Sequence, residues 1–455
     1  MKKLLFYATA LLSLATAIGG CTAEDVIDLL IPDITIKQPG IYPGEGGEYS
    51  IAYTLDNPRA GVAKSAKSTE RWISFLSVDE KKVSFYLSVN PDLKKREGTI
   101  ILSYGDAEDV RIEIRQGTMC ERLDKNGTAN CYIADSGEKY QFATVKGNSE
   151  ESVGEVASAE VLWETIGTDI APKKGDLIKE LVYEDDTISF KTNTFKGNAL
   201  IAAKDKAGKI LWSWHIWITL EPKDQVYGNN AGTMIDRNLG ALTTIKGDAS
   251  AIGLIYQWGR KDPFLGSSDI YSGVPAKSTL AVWPDPVRKN RTYGTMEYAT
   301  ANPTTFICGL EDNDDWCYNT GSDLRWGRTK TIYDPCPPGY KIPDGGDNGI
   351  WAKVLGSKFV TCEVDIKDEE HRGMDLGKSS GSIYYFTSSY NCWYPVTFDY
   401  SATTGIMNRS STMGSYWSHT AKDFNLDINP GEPKGIIDCR DRQRASGRAV
   451  RCQKE

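Results

Sequence analysis

Alternating apolar and polar residues predict short β-strands in the first third of the chain. Residues 83–89, Val-Ser-Phe-Tyr-Leu-Ser-Val, follow the two-residue period that places one face of a strand on a core. Thr99–Ser103 and Val110–Ile114 predict a closing hairpin. Several short strands separated by turn residues therefore predict an immunoglobulin-like sandwich over residues 33–117.

A second β-rich segment spans residues 118–222 and is predicted to form another sandwich-like domain. Its clearest strand is Ile210–Leu220, in which every even position is apolar. Trp212 and Trp214 therefore belong on a core-facing side. His215 falls on the opposite, mixed face, and a lone histidine there is assigned no catalytic role.

The first 20 residues have the pattern of a secretory signal peptide. Met1 is followed by two lysines, an apolar run over residues 4–18 and the small residues Gly19 and Gly20. Such a run is too short to serve as a stable membrane span. Residues 1–20 are therefore predicted to be removed, leaving residues 21–32 as a tether before the first domain.

The junction Ile18-Gly-Gly-Cys21 resembles the lipobox of bacterial lipoproteins. The resemblance implies that the Cys21 thiol is acylated and that membrane lipid is a partner of the mature chain. Acyl chains contribute roughly 0.8 kcal/mol per buried CH₂, which explains how such an anchor replaces a transmembrane helix. We therefore expect a lipid-anchored protein at the outer membrane or cell surface of a Gram-negative bacterium.

Short motifs in residues 33–117 resemble the BACON domain of Bacteroidetes surface proteins. They are Trp72-Ile73, Val89-Asn90, Arg96–Ile100 and Ile112–Gln116. The family name includes carbohydrate binding. For this domain we expect a different role, that of a spacer that lifts the following domains from the membrane.

Residues 223–455 are rich in Trp, Tyr, Gly, Asn and Asp and show little periodicity, which predicts a loop-rich fold. Ordered motifs resemble the Fibrobacter succinogenes major paralogous domain, which occurs in Bacteroidetes lipoproteins and is related in fold to C-type lectins. The resemblance implies a mixed α/β, lectin-like domain whose first and last strands pair, with a Cys336–Cys452 disulfide. The whole chain is thus predicted to be multidomain and mainly β. The motifs lie at 233–241, 254–264, 334–343, 416–418 and 449–452.

Charge and cysteine content exclude several classes. Lys and Arg number 53 against 61 Asp and Glu, with no single-sign block, so nucleic acid is not an expected partner. The chain has ten cysteines but no CxxC, and its three histidines are far apart, so no metal or other cofactor is implied. Because nine cysteines follow Cys21, at least one is expected to remain outside an intramolecular disulfide.

Two further disulfides are compatible with the spacing in an exported protein. Cys120 and Cys131 flank Asn126-Gly127, a strong hairpin-turn pair, so they could bond across that turn. Cys308 and Cys317 could close the acidic loop that begins at Glu311.

No sequence motif supports an enzyme. GxSxG, HExxH, the P-loop and the dinucleotide-binding fingerprint are absent in their required contexts. Formylglycine-generating enzymes use two late cysteines, but the late pair here is Cys439 and Cys452, and the resemblance already assigns Cys452 to a disulfide. We therefore expect a non-catalytic protein.

Two segments combine aromatic rings with polar groups, as sugar-binding sites do. The acidic segment supplies Asp312, Asp314, Asp315 and Trp316, and its clustered oxygens could also hold calcium. The aromatic segment supplies Tyr390, Trp393 and Tyr394. Because the EPN and WND calcium-site motifs of sugar-binding C-type lectins are absent, ring stacking at the aromatic segment is the expected mode of binding.

The expected function is display of a lectin-like head that binds a glycan or a cell-surface protein. One alternative is a pilus-tip or adhesin subunit, for which a proteolytic cut after Arg59 would be evidence. The other is a carbohydrate-processing enzyme, because two well-placed carboxylates are all that a glycosidase needs.

Overall fold

The computed structural model describes residues 31–105, 107–309, 315–318, 325–356, 362–377, 386–389, 391–409, 412–441 and 443–455. The lipidation site Cys21, the signal peptide 1–20 and nearly all of the tether 21–32 lie outside these residues. The chain forms two compact units, the first ending at Met119 and the second spanning Cys120–Glu455. The protein is multidomain and mainly β, as predicted.

The first unit is a sandwich of two four-stranded sheets, ordered β1-β3-β6-β5 and β2-β8-β7-β4. One core takes side chains from both sheets, including Phe85 and Ile112. The predicted hairpin is confirmed as β7 paired antiparallel with β8. The strands are β1 Asp33–Ile36, β2 Ile41–Tyr42, β3 Gly47–Asp56, β4 Lys64–Lys67, β5 Ile73–Val78, β6 Lys82–Leu87, β7 Arg96–Tyr104 and β8 Val110–Gln116.

The second unit begins with another pair of four-stranded sheets, ordered β10-β16-β15-β12 and β13-β14-β11-β9. Their shared core contains Phe142, Phe190 and Trp214. A 3-10 helix, Leu123–Asn126, lies between β9 and β10. The strands are β9 Glu121–Arg122, β10 Cys131–Ala134, β11 Lys139–Ala143, β12 Ser158–Thr165, β13 Ile178–Glu184, β14 Thr187–Thr192, β15 Gly197–Lys204 and β16 Ile210–Ile218.

The sheet that contains β16 is buried on both faces. Trp212 and Trp214 lie in the sandwich core, as predicted. The opposite face carries Trp217 and His215, which are also fully buried, because segments from residues 223–455 cover it. The predicted segments 118–222 and 223–455 thus share a hydrophobic cluster.

The remainder of the second unit consists of short strands joined by long loops. Four sheets contain these strands, in the orders β17-β18-β31-β22, β19-β30-β27-β28-β29-β23, β24-β25-β26 and β20-β21. The strands are β17 Asp224–Tyr227, β18 Gly232–Ile235, β19 Ile255–Gln257, β20 Val287–Arg288, β21 Ile307–Cys308, β22 Tyr340–Lys341, β23 Cys362–Val364, β24 Lys367–Asp368, β25 Gly373–Asp375, β26 Trp393–Pro395, β27 Met413–Trp417, β28 Lys422–Asp427, β29 Gly435–Asp441, β30 Gly447–Ala449 and β31 Gln453–Lys454.

Regular helices in this part are short. Two α-helices, α1 Met296–Ala301 and α2 Ile350–Leu355, accompany a 3-10 turn at Ala249–Ala251. The Thr295 side chain caps α1 by accepting the Tyr298 N–H. None of the helices formed by the described residues is long and apolar enough to span a bilayer.

The end of the chain returns to the start of this segment. β31 pairs antiparallel with both β18 and β22, so the early and last strands share one sheet. Cys336 and Cys452 are disulfide-bonded, with their Cα atoms 6.0 Å apart. The predicted Cys336–Cys452 disulfide is confirmed.

The other two proposed disulfides are not formed. Cys131 is a free, buried thiol on β10, whereas Cys120 precedes β9 in the other sheet. The expected hairpin at Asn126-Gly127 is replaced by a 3-10 helix, which separates the two cysteines. Cys308 is also a free thiol, and it packs in a different hydrophobic cluster from Cys317.

Candidate functional site

The predicted aromatic platform is part of the core. Trp393 and Tyr394 lie on β26 with 2% and 0% of their surface exposed. The Tyr394 hydroxyl is 2.6 Å from that of Tyr227, and the Arg451 guanidinium lies 3.7 Å from the centre of the Tyr394 ring. Burial raises the pKa of Tyr394. These two rings are covered on both sides, so the predicted stacking site at Trp393 and Tyr394 is wrong; Tyr390 lies outside the described residues.

The described part of the acidic segment is also internal. Asp315 forms a bidentate ion pair with Arg325, at 2.7 and 2.5 Å, and a third contact of 3.3 Å with Arg444. Trp316 is fully buried and donates its indole N–H to the carbonyl oxygen of Trp258 at 2.7 Å. Asp312 and Asp314 lie outside the described residues.

These contacts decide the chemistry of Asp315. Both carboxylate oxygens already accept hydrogen bonds from guanidinium groups, so Asp315 does not fit a calcium ligand. Its assignment as a ligand-binding residue, and that of Trp316, are wrong. Within the described residues, no cluster of three or more His, Cys, Asp or Glu side chains is arranged to hold a metal ion.

A buried polar cluster joins β16 to the loop after β19. The Lys261 ammonium lies 2.6 Å from both the Ser213 hydroxyl and the Asp262 carboxylate. Burial lowers the pKa of Lys261, and the adjacent Asp262 opposes that shift. Serine beside lysine is a nucleophile–base combination, but at most 4% of any of these side chains is exposed. A substrate therefore has no route to Ser213, and the cluster pairs buried charges across the core.

An open, aromatic-lined groove was not expected from the sequence. It has a volume of about 580 Å³ and lies entirely within the second unit. We call it the aromatic groove. Its walls include Phe264, Leu280, Trp283, Phe306, Tyr400, Ile406 and Met407.

One wall is the Trp283 loop, residues 275–286. Its backbone is held by β12 and the residues after it, because the Thr279 N–H donates to the Glu164 carbonyl oxygen and the Lys277 N–H to that of Thr168. The Trp283 indole N–H donates to the Ser278 hydroxyl at 3.1 Å. This loop is therefore shaped before any ligand arrives.

The floor is a chain of aromatic contacts. Phe264 lies 5.1 Å from Phe306 and 6.3 Å from Trp283, measured between ring centres. Phe306 stacks on Tyr400 at 5.6 Å. The Tyr400 hydroxyl donates to the Leu265 carbonyl oxygen, and burial raises its pKa. The buried Phe264 and Phe306 rings support the partly buried Trp283 and Tyr400, which gives the groove a rigid apolar surface.

The opposite wall is a tight turn between Tyr400 and Met407. Gly405 adopts a φ of +64°, and a Cβ there would lie 2.7 Å from Pro286. Glycine therefore allows the turn to approach the Trp283 loop closely. Ile406, at the tip, is 62% exposed.

Two charges border the aromatic groove. Lys277 and Asp285 both lie on the Trp283 loop and are exposed. Among the ion pairs of the described residues, none includes either side chain. Both charges are therefore open to a ligand.

The groove has a weak signal in the sequence. Trp283 stands directly before Pro284-Asp285-Pro286, and prolines on both sides of an acidic residue indicate a rigid exposed segment. Phe264 lies in the 254–264 motif, which indicates the lectin-like domain but does not indicate a binding site within it. No local pattern indicates that residues near 264, 283, 306 and 400 meet.

Comparisons with known proteins do not identify the chain. No family model and no curated protein matches it. The similar solved structures include a three-domain immunoglobulin fragment of titin, at 12% identity over 43% of this chain and 68% of that one, with a TM-score of 0.16. A Bacteroides ovatus GH5 xyloglucanase, in complex with a heptasaccharide, matches at 16% identity over 34% of this chain and 29% of its own, with a TM-score of 0.17. A tandem pair of titin immunoglobulin domains gives 0.19 at 11% identity over 41% and 96%. Scores this low carry no argument on fold or function.

Proposed function

We propose that this chain is a lipid-anchored surface protein whose second unit is a non-catalytic binding module with its ligand in the aromatic groove. The observation that carries the proposal is the groove itself: a concave, preformed apolar surface bordered by unpaired charges. Exposed apolar surface of this kind is costly to keep in a soluble domain and commonly marks an interaction site. The BACON-like and lectin-like resemblances are part of the same proposal.

The absence of catalysis belongs to the proposal as well. The nucleophile–base pair nearest to an enzymatic arrangement, Ser213 with Lys261, is enclosed in the core. The groove walls are mainly carbon surfaces, which bind and orient but supply no proton transfer. The alternative of a pilus-tip or adhesin subunit also places a binding groove on the cell surface. It differs in requiring a cut such as one after Arg59.

The backbone at Arg59, where the pilus-tip alternative requires a cut, is held by hydrogen bonds. The Arg59 N–H donates to the Tyr104 hydroxyl at 2.7 Å, and that hydroxyl donates to the Arg59 carbonyl oxygen at 2.8 Å. A protease must draw this segment into an extended form, so it must first break both bonds. We therefore propose the uncut, anchored form as the functional one, to be checked by the N-terminal sequence of protein released from cells.

A matched pair of variants tests the binding site. Ile406 and Ile245 are similarly exposed, 62% and 64%, but only Ile406 lines the aromatic groove. The soluble chain from residue 22 is screened on glycan and peptide arrays, and the strongest ligands are measured with Ile406→Ser and Ile245→Ser. We expect Ile406→Ser to weaken binding at least five-fold and Ile245→Ser to leave it unchanged. Ligands that bind all three proteins equally would place the site elsewhere.

Anchoring is tested separately. Cys21→Ser removes the only thiol at the proposed cleavage junction, so the protein is expected to leave the membrane fraction. Cys362→Ser, which keeps the junction intact, is the control and should remain membrane-bound. If the Cys21→Ser protein still pellets with membranes after a carbonate wash, the lipid anchor is rejected.

A further inference from the structure

We infer that the ligand of the aromatic groove is an extended, proline-rich segment of another protein. The inference rests on the proposed function of the groove and adds the chemical class of its ligand.

Those polar atoms are already used within the protein. The Trp283 indole N–H donates to Ser278, and the Ser278 hydroxyl donates to the Leu280 carbonyl oxygen at 3.1 Å. The Tyr400 hydroxyl donates to the Leu265 carbonyl oxygen at 3.0 Å. The Trp283 and Tyr400 rings can therefore contact a ligand only through their carbon atoms, because their donor groups already bond to the protein.

This arrangement disfavours a glycan. A pyranose brings several hydroxyl groups, and each one that leaves water without a new partner weakens binding by roughly five-fold or more. Sugar sites meet that demand with side chains placed to bond the hydroxyls. In the aromatic groove, the polar side chains left for this purpose are Lys277, Asp285 and Thr304, which stand among a majority of apolar residues.

A proline-rich segment has the complementary chemistry. Proline has no backbone N–H, so it needs no acceptor from the groove wall. Its extended polyproline II form is largely preset, which reduces the conformational entropy lost on binding, and its flat rings pack on aromatic side chains. Trp283 and Tyr400, the two partly buried rings of the groove, supply such side chains, and their contacts with the buried Phe264 and Phe306 already fix them.

The charges at the edge give the segment a direction. Asp285 is exposed and is in none of the ion pairs among the described residues, so a basic residue of the ligand has a partner there. The exposed Lys277 ammonium can likewise pair with an acidic residue of the ligand. Such edge contacts fix orientation and association rate more than affinity.

The test uses a fluorescein-labelled peptide of one arginine followed by ten prolines, measured by fluorescence anisotropy with the soluble chain from residue 22. A peptide of the same length with the prolines replaced by alternating glycine and serine is the control. Cellohexaose and maltohexaose are used as competitors. We expect the proline peptide to bind, the control peptide to bind at least ten-fold more weakly, and neither hexasaccharide to compete.

Variants assign the binding to the groove. Ile406→Ser should weaken the proline peptide at least five-fold, whereas Ile245→Ser should not. Asp285→Asn should weaken it about two- to five-fold and reduce its dependence on salt. Equal binding of both peptides, or binding that is indifferent to Ile406→Ser, would overturn the inference.

The two proposals fail in different ways. If a hexasaccharide binds in an Ile406-dependent manner and the proline peptide does not, the ligand class is wrong and the groove remains the site. If an array ligand binds equally to the Ile406→Ser and Ile245→Ser proteins, the groove itself is rejected, and this inference is rejected with it.

Discussion

Cys336 and Cys452 are separated by 116 residues and joined by a disulfide beside a sheet in which β22 pairs with β31. The bond and the strand pairing close the same long loop. The Cys452 side chain is fully buried in the cluster that links the sheet containing β16 to the rest of the second unit. This disulfide therefore fixes the end of the chain to its interior.

Removing this disulfide should lower stability. A closed loop of this length is worth about 4 to 5 kcal/mol in the chain-entropy model, and measured losses are typically about 2 to 5 kcal/mol. We expect the double variant Cys336→Ala, Cys452→Ala to lose that amount in urea unfolding followed by tryptophan fluorescence. This signal reports the second unit, because 11 of the 12 tryptophans follow residue 120.

The control is Cys308→Ala, which removes a buried free thiol. Its stability should respond to a reducing agent as the unchanged protein does. A native protein whose urea midpoint is the same with and without dithiothreitol would contradict the stabilising role of the Cys336–Cys452 bond.

Strands can be predicted because their evidence is local. The alternation at Ile210–Ile218 correctly places Trp212 and Trp214 on the sandwich core. It does not reveal that His215 and Trp217 are also buried, because the cover over that face comes from residues after 223. Local periodicity identifies an apolar face but does not show what covers the polar one.

The candidate site cannot be predicted for the same reason. Asp315 has the sequence context of a ligand because its partners, Arg325 and Arg444, are 10 and 129 residues away. Trp393 has the context of a stacking platform because residue type does not report burial. The aromatic groove depends on Phe264, Phe306 and Tyr400 meeting in space, which only the fold determines.

Asp315 is predicted to stabilise the second unit through its buried ion pair. Asp315→Asn leaves the Arg325 and Arg444 guanidiniums beside a neutral amide, and loss of one partner of a buried pair costs about 3 to 5 kcal/mol. Urea unfolding measures the loss, with the exposed Asp347→Asn as a control expected to change stability by less than about 0.5 kcal/mol.

Removing calcium with EDTA should not change the stability of the unchanged protein. A calcium-dependent midpoint that disappears in Asp315→Asn would return this residue to a metal site.

Trp393 is predicted to act through its volume and not through its indole N–H. Its Nε1 atom has no hydrogen-bond partner, whereas Trp417 donates from the same atom to the Tyr256 carbonyl oxygen at 2.9 Å. Trp393→Ala should cost about 3 to 5 kcal/mol, because it leaves a large cavity. Trp393→Phe should cost less than Trp417→Phe by about 1 to 3 kcal/mol, since only the second leaves a buried carbonyl without its donor. Equal losses in the two phenylalanine variants, measured by urea unfolding, would show that the indole N–H of Trp393 is bonded after all.

His215 is predicted to make the second unit sensitive to acid. Burial lowers its pKa to about 3, while in the unfolded chain its pKa is about 6.5. The unfolded state therefore binds a proton that the folded state does not, and stability falls as the pH is lowered from 6.5 towards 3. The loss is about 1.4 kcal/mol per pH unit for one such group, or roughly 2 kcal/mol between pH 6.5 and pH 5.

Comparing variants isolates this effect. His215→Gln keeps a donor for the Asn198 side-chain oxygen, which lies 2.9 Å from the histidine Nε2 atom, and it cannot be protonated. Its stability should therefore decline less on acidification, so the gap between the two proteins narrows by roughly 2 kcal/mol from pH 6.5 to pH 5. Asp334, whose pKa burial raises to about 6, acts in the opposite direction, but it is present in both proteins and cancels in the difference. Parallel pH profiles for the His215→Gln and unchanged proteins would mean that His215 takes up its proton without unfolding.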